Sequence, residues 1–314
     1  MKYVKQMVIS THMSVGQIVN EMSESGVLGA GRLARAVDIM VEIFKKSEYS
    51  TFLCLAGPMV PGGLREIFHL LIEKGYVDAI VTSGANIVHD IIEALGYKGE
   101  KGNFSEDDIK LRRNGIGRAG DIFFEQEGFQ ALEKKVYEVC DSLIVEENRE
   151  VAVYELLQVI GKSLDDEKSL LKSALKRGVP VFSPAIMDSM LGLHIWTYSQ
   201  LKKIRINPVL DLNRMADFIF ESEKLGAIIL GGGVPKHFAL AGSILREGVD
   251  AAVQIIMDRP ESGSLSGAEL EEAISWKKAR TESKLATVIG DATIIFPIMV
   301  AAVFEKLSKP KNQN

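Results

Sequence analysis

Residues 227–240 read AIILGGGVPKHFAL. Ala227 to Leu230 is a short apolar run without polar alternation, which marks a strand buried on both faces. The run empties into Gly231-Gly232-Gly233, and Val234-Pro235-Lys236-His237 leads into a helix. Strand, small-residue turn and helix form the repeating unit of a parallel sheet, because each return path must cross a face of the sheet.

Working outward, the unit recurs. Thr51 to Leu55 predicts a strand that ends in AGPMVPGGLREIF, with a helix over Leu64 to Lys74. Ala79 to Val81 ends in Thr82-Ser83-Gly84-Ala85-Asn86 ahead of a helix from Ile87 to Leu95. Val179 to Ser183 runs into Pro184-Ala185-Ile186-Met187-Asp188, Ala251 to Ile256 into a polar segment, and Thr287 to Ile289 into Gly290-Asp291-Ala292. Further helices are expected at Ser14 to Lys46 (broken at Gly29 and Gly31), Glu127 to Leu143, Val151 to Ile160, Asp211 to Glu223 and Phe296 to Lys306. Another spans Leu164 to Arg177, with Ser163 as cap and Gly178 as stop. The fold class is α/β: a Rossmann-like parallel sheet with helices on both faces. No linker or repeat interrupts the pattern, so a single domain is expected over 1–314. Residues 98–120, charged and glycine-rich, read as a solvent-facing insertion or an arm that orders on a neighbouring subunit. In such sheets ligands bind outside the carboxyl ends of the strands, where this chain places Gly, Ser, Pro, Asn and Asp.

Composition narrows the function classes. The 314 residues are 46% hydrophobic and 25% charged, as in a soluble globular protein with a large core. A net charge of -5 argues against nucleic acid and leaves room for cationic partners. Two distant cysteines, Cys54 and Cys140, build neither a disulfide framework nor a zinc site. Met1 to Ser10 lacks the apolar core of a secretory signal, and the apolar run Ala286 to Phe304 is broken by Asp291 and Pro297. A cytoplasmic protein without membrane contact is expected.

The chemistry concentrates in Ser262 to Lys278, SGSLSGAELEEAISWKK. Ser266 and Glu269 fit a capping box for a short helix that carries Glu271, Glu272, Trp276, Lys277 and Lys278. Two acids, an indole and a lysine suit a cationic amine; a solvated helix with one half-buried tryptophan is the other reading. Lys278 can act as a nucleophile only as the neutral amine. On an ideal helix it lies about 200° from Trp276, so the helix must end or unwind near Ala279 for both to line one pocket. The triple glycine is either a pyrophosphate-cradling turn or a tight structural turn; it is not GxGxxG, and no P-loop is present. His237, at the same strand end, is either a structural histidine or a catalyst. His89 adjoins Asp90, but neighbours on a helix point apart. His12 and His69 have no evident partners, and without HExxH no metal site is expected. Asp188 and Asp291, just past strands, read as helix caps or as ligands of a ribose hydroxyl or an ammonium group.

Taken together, TSGANIVHD at 82–90, SPAIMD at 183–188, ILGGGVPKH at 229–237, SGSLSGAELEEAISW at 262–276 and GDATIIFP at 290–297 resemble deoxyhypusine synthase, in order and spacing, from about residue 15 to 305. The nearest likeness is to the archaeal branch. The resemblance implies NAD as cofactor and a homotetramer whose active sites are shared between paired subunits. It also implies transfer of the aminobutyl group of spermidine, through a lysine imine, to one lysine of the translation initiation factor 5A precursor. By motif position Lys278 forms the imine; His237, Glu272 and Trp276 bind the polyamine and assist proton and hydride transfer. His89 falls at a polyamine-binding position. Ser83, Gly84, Asp188, Gly232, Asp291 and Ala292 hold NAD, with Gly57, Met59 and Gly63 near its phosphates. The chain departs from eukaryotic members at Leu193 and Leu265, where those carry acids, and at His89, where they carry a glutamate. Glu261 and Glu271 are the acids that can compensate. Lys277 stands where WGK has glycine, and Pro58 where asparagine is common. A homospermidine synthase, which passes the same group to a free diamine, and a non-catalytic NAD-binding relative are the competing expectations.

Overall fold

The structure is a computed structural model, describing residues 3–143 and 150–308. It divides into two compact units, one made of the chain up to Cys54 and from Ala216 onward, the other of Leu55–Met215. The crossings fall at the end of a strand, Tyr49–Leu55, and inside a helix, Asp211–Glu221. The first crossing lies in an apolar strand and the second in a helix, so neither shows as a linker in the sequence.

The first unit holds β1 (Tyr49–Leu55); the second holds β2 (Ala79–Thr82) and β3 (Val181–Phe182). The chain then returns to the first unit for β4 (Lys224–Leu230), β5 (Val249–Ile256) and β6 (Ala279–Ile289). Strand order in the first unit is β6-β5-β4-β1, and β2 lies beside β3 in the second. The pairs β4–β5, β5–β6 and β2–β3 are all parallel. The fold class read from the apolar runs therefore holds. In β4 every residue from Leu225 to Leu230 is buried, as expected of a strand covered on both faces.

β6 is longer than the sequence suggests. Ala279 and Leu285 to Val288 are buried, but Arg280 to Lys284 between them are exposed or half-buried and largely charged, so that half carries no apolar signal. It contains an irregularity as well: Ala279 to Lys284 face only Val249 to Ala251.

Helix Val15–Ser25 starts at Ser14, whose hydroxyl accepts from Gln17 N while the Gln17 amide accepts from Ser14 N. The break before helix Leu28–Lys45 lies at Gly26, with φ of 68°, and not at Gly29 or Gly31. Gly31 is needed for close packing instead, since a Cβ there would lie 2.5 Å from the Gly26 carbonyl carbon.

In the second unit residues 98–120 fold locally. Glu100–Lys101 and Ile116–Ala119 flank Ile122–Glu125 in an antiparallel sheet, and Arg118 pairs with Asp108 of helix Asp108–Arg113. The helix expected over 164–177 is confined to Leu170–Lys176, with Ser169 as its cap. Ser163 instead ends the preceding helix, Val153–Ser163, and its hydroxyl donates back to Ile160 O. The reason is Asp90, fully buried, whose carboxylate accepts from Ser169 Oγ (2.7 Å), Leu170 N (2.8 Å) and Leu171 N (3.1 Å). Arg65 Nε completes that carboxylate's partners at 2.7 Å. Among the described residues no helix is long and apolar enough to cross a membrane.

Candidate active site

In the first unit, residues 257–278 leave the carboxyl end of β5 and return to the amino end of β6. Three side chains fasten this segment. Gln254 Nε2 donates to Ser266 O (3.1 Å) and to Gly231 O (3.0 Å), Lys236 Nζ donates to Leu265 O (3.1 Å) and Ala268 O (2.6 Å), and Thr287 Oγ1 accepts from Leu270 N (3.3 Å). Ser266 presses so closely on Gly232 that a Cβ there would lie 2.6 Å from its hydroxyl and 2.7 Å from its Cα. The second glycine of the triplet is thus required by packing alone. The capping box expected from Ser266 and Glu269 does not form. The helix comprises only Glu272–Ser275, its N-cap Glu271 makes no side-chain cap, and Glu269 pairs with Arg32 at 3.6 Å.

The helix stops at Trp276, and Lys277 reverses the chain with φ of 56°. Such a conformation costs a non-glycine residue about 1 kcal/mol, a physical reason for glycine at this position in WGK. Unwinding brings together what a continued helix would separate: Lys278 Nζ lies 5.5 Å from the Trp276 ring centroid. The Lys278 backbone is pinned on both sides, its N–H by Ala273 O (2.9 Å) and its carbonyl by Val249 N (3.1 Å) and Ser243 Oγ (3.0 Å). Gly248 makes room for this, since a Cβ there would lie 2.6 Å from Ala279 N.

Helix Gly233–Gly242 presents His237, whose Nδ1 is 3.5 Å from Lys278 Nζ. Burial, reinforced by the Lys278 charge, lowers the imidazole below its ordinary value, so His237 is neutral at pH 7 and able to accept a proton. Trp276 is 63% exposed, and Glu272 and Glu271 are exposed as well. Glu261 is exposed in the turn Pro260–Ser262. Leu265 is 39% exposed.

Gly232, Asp291 and Ala292 sit elsewhere on the unit. Ala279 pairs with Val249, the first residue of β5, and Ile289 with Ile256, the last. Lys278 and Asp291 therefore flank opposite ends of that pairing, about 20 Å apart along the strands. The sequence pattern places all of them at the carboxyl ends; the structure sends the lysine to the amino end. Asp291 caps the last helix, its Oδ1 accepting from Thr293 N and Oγ1, both at 2.8 Å. Ala292 begins that helix and is buried.

The remaining candidates belong to the second unit. Gly57 and Gly63 both have positive φ, 81° and 89°, in the loop after β1. Asn86, to which the sequence assigns no role, holds that loop: Oδ1 accepts from Val60 N (3.0 Å) while Nδ2 donates to Leu55 O (3.4 Å) and Thr82 Oγ1 (3.3 Å). Met59 is buried there, its N–H donating to Gly57 O, and Pro58 O accepts from Gly62 N. Ser83 caps helix Gly84–Ala94. Gly84 meets Ser189, whose hydroxyl would lie 2.5 Å from a Cβ at that position. Asp188 is exposed in the turn just before, and the cap of helix Met190–Ser199 is Ser189 rather than Asp188. The Ser183 hydroxyl, at the end of β3, is buried without a hydrogen-bond partner among the described residues. Leu193 is 47% exposed on helix Met190–Ser199.

His89 stacks against Phe124 at 4.4 Å, with Phe129 edge-on at 6.4 Å. Burial lowers its pKa from 6.5 to about 4. The folded chain keeps this ring neutral where the unfolded chain binds a proton. His89 therefore contributes stability that is complete above pH 6.5 and is lost as pH falls toward 4, by about 3 kcal/mol in all. Urea unfolding between pH 7 and 4 should show this slope, and His89→Phe should flatten it. An unchanged slope in the variant would assign the acid sensitivity to other groups.

Among the described residues no group of three or more His, Cys, Asp or Glu is arranged to hold a metal. Comparison with known proteins gives a consistent picture. The deoxyhypusine synthase family model matches residues 17–303. A Methanothermobacter thermautotrophicus protein named probable deoxyhypusine synthase is 46% identical, covering 97% of this chain and 98% of its own. One of the same name from Methanopyrus kandleri is 45% identical over 94% of this chain and 95% of its own. A crystal structure from Entamoeba histolytica, assigned to the same enzyme, covers 96% of this chain and 97% of its own with a TM-score of 0.62 and 20% identity, a likeness of fold. Matches of this extent decide the matter: the chain belongs to the deoxyhypusine synthase family.

Proposed function

We propose that this protein is an NAD-dependent aminobutyltransferase that moves the aminobutyl group of spermidine to one lysine of the translation initiation factor 5A precursor, in the cytoplasm and as a homotetramer. The observation that carries the reading is Lys278, held by its backbone with its amine 3.5 Å from His237 Nδ1 and beside the Trp276 face. An indole face and a carboxylate, Glu272, attract a polyammonium chain. His237 Nδ1, 3.5 Å from the Lys278 amine, is placed to exchange a proton with it. Lys278 then adds to the oxidised carbon of the donor and expels 1,3-diaminopropane, retaining the aminobutyl group as an imine. The acceptor lysine displaces Lys278 from that imine, and reduction of the product imine completes the transfer.

NAD supplies the hydride acceptor for the first half and the hydride donor for the second. The residues present fit it. In the first unit Gly231 and Gly233 have positive φ, helix Gly233–Gly242 starts without a side-chain cap, and the buried Gln254 Oε1 lacks a hydrogen-bond partner among the described residues. Uncapped amides at a glycine turn suit a pyrophosphate. In the first unit Gly232, Asp291 and Ala292 would hold the cofactor; in the second, Gly57, Met59, Gly63, Ser83, Gly84 and Asp188 are assigned to it by motif position, and there the buried Ser183 hydroxyl has no hydrogen-bond partner among the described residues.

The test is chemical trapping. Incubation with NAD and spermidine, reduction with borohydride and peptide mass mapping should place an aminobutyl adduct on Lys278. Absence of the adduct in protein that binds NAD would reject the reading. Turnover with the factor precursor or with putrescine as acceptor then separates deoxyhypusine from homospermidine synthesis.

A further inference from the structure

Lys236 neighbours His237 on the same helix and is 2% exposed. Burying an ammonium group costs several kcal/mol, roughly, unless its surroundings compensate. A methionine would fill the same space at lower cost, so packing does not account for the lysine. Its Nζ donates to two carbonyls of one irregular segment, Leu265 O and Ala268 O. Ser266 O, between them, accepts from Gln254. Three backbone carbonyls thus turn inward at a place where no sheet or helix satisfies them. The segment so held is the approach to Glu272, and Glu272 is near enough for its charge to act on Lys236, as does Lys278. Burial dominates and brings the Lys236 amine down to about 8.

We propose that Lys236 is a positioning residue that clamps residues 264–272 through the carbonyls of Leu265 and Ala268, and so holds Glu272 in place for binding the amine. This rests on the amine-transfer reading given above. Glu272 gains a fixed place without a direct hydrogen bond of its own to the helix. The clamp works on the loop backbone, through carbonyls that any residue at 265 and 268 carries.

The experiment compares the full chain with Lys236→Met and Lys236→Gln, the second retaining two N–H donors without the charge. Hydrogen exchange in Lys236→Met should rise at least about tenfold over 264–272 and stay unchanged over 249–256. KM for spermidine should rise by about tenfold or more, with NAD affinity within about twofold. Lys236→Gln should recover part of both. Unchanged loop exchange in Lys236→Met overturns the clamp. Exchange that rises throughout the first unit also overturns it, by showing general loosening. A mobile loop with unaltered KM overturns the link to amine binding. If the unaltered protein turns over no spermidine, the amine-transfer reading fails, while the exchange measurement still decides the clamp.

Discussion

Lys278→Arg should abolish aminobutyl transfer, lowering turnover by at least about a thousandfold, near 4 kcal/mol of barrier, while NAD affinity stays within about twofold. The guanidinium stays protonated under all conditions in which the protein is folded, so it cannot supply the free electron pair that imine formation requires. In the unaltered chain the amine lies 3.5 Å from His237 Nδ1, a ring nitrogen able to relay a proton. The positive charge beside Trp276 survives the substitution, and so does the backbone anchoring of position 278 by Ala273, Val249 and Ser243. Turnover by stopped assay and NAD binding by calorimetry give the two readouts. Turnover within about tenfold of the unaltered chain would remove Lys278 as the nucleophile.

Asp90→Ala should be the most damaging single change to stability, costing about 3–5 kcal/mol. The carboxylate is fully buried and accepts four hydrogen bonds: from Arg65 Nε, Ser169 Oγ, Leu170 N and Leu171 N. Alanine leaves the first amides of helix Leu170–Lys176 without their acceptor, and buried donors left unpaired cost about 1–3 kcal/mol each. Arg65 keeps Asp166 at 2.7 Å and Glu93 at 3.6 Å, which limits the loss. Because domains carry only about 5–15 kcal/mol of net stability, the effect should appear as a large fall in the urea midpoint. A loss below about 1 kcal/mol would show that water replaces the carboxylate without penalty.

The parallel sheet is legible in the sequence because its strands are uniformly apolar: Ala227 to Leu230 and Ala251 to Ile256 admit no other reading of comparable strength. Local signals mislead where tertiary partners choose between equivalent residues. Ser163 and Ser169 are the same chemical type, and only the buried Asp90, 79 positions from Ser169 in sequence, selects the second. The capping box at Ser266 is likewise a correct local pattern overruled by contact with Gly232. The first half of β6 is invisible, because an exposed charged strand resembles a loop in one dimension. At the site, the need for the helix to unwind before Ala279 follows from the angle between Trp276 and Lys278. Lys236 and Asn86 give no such sign, since a lysine or asparagine that hydrogen-bonds backbone carbonyls has no sequence periodicity.

The division of the chain into one continuous and one interrupted unit has a consequence for biosynthesis. Leu55–Met215 leaves the ribosome as an uninterrupted piece, able to complete its contacts while the rest is still being translated. The outer unit is in the opposite position. β1 is made early, yet its neighbour in the outer unit is β4, which begins at Lys224. Until that strand emerges, β1 exposes backbone groups that invite mispairing. On that edge the first strand of the nascent chain therefore stays unpaired until β4 has been made.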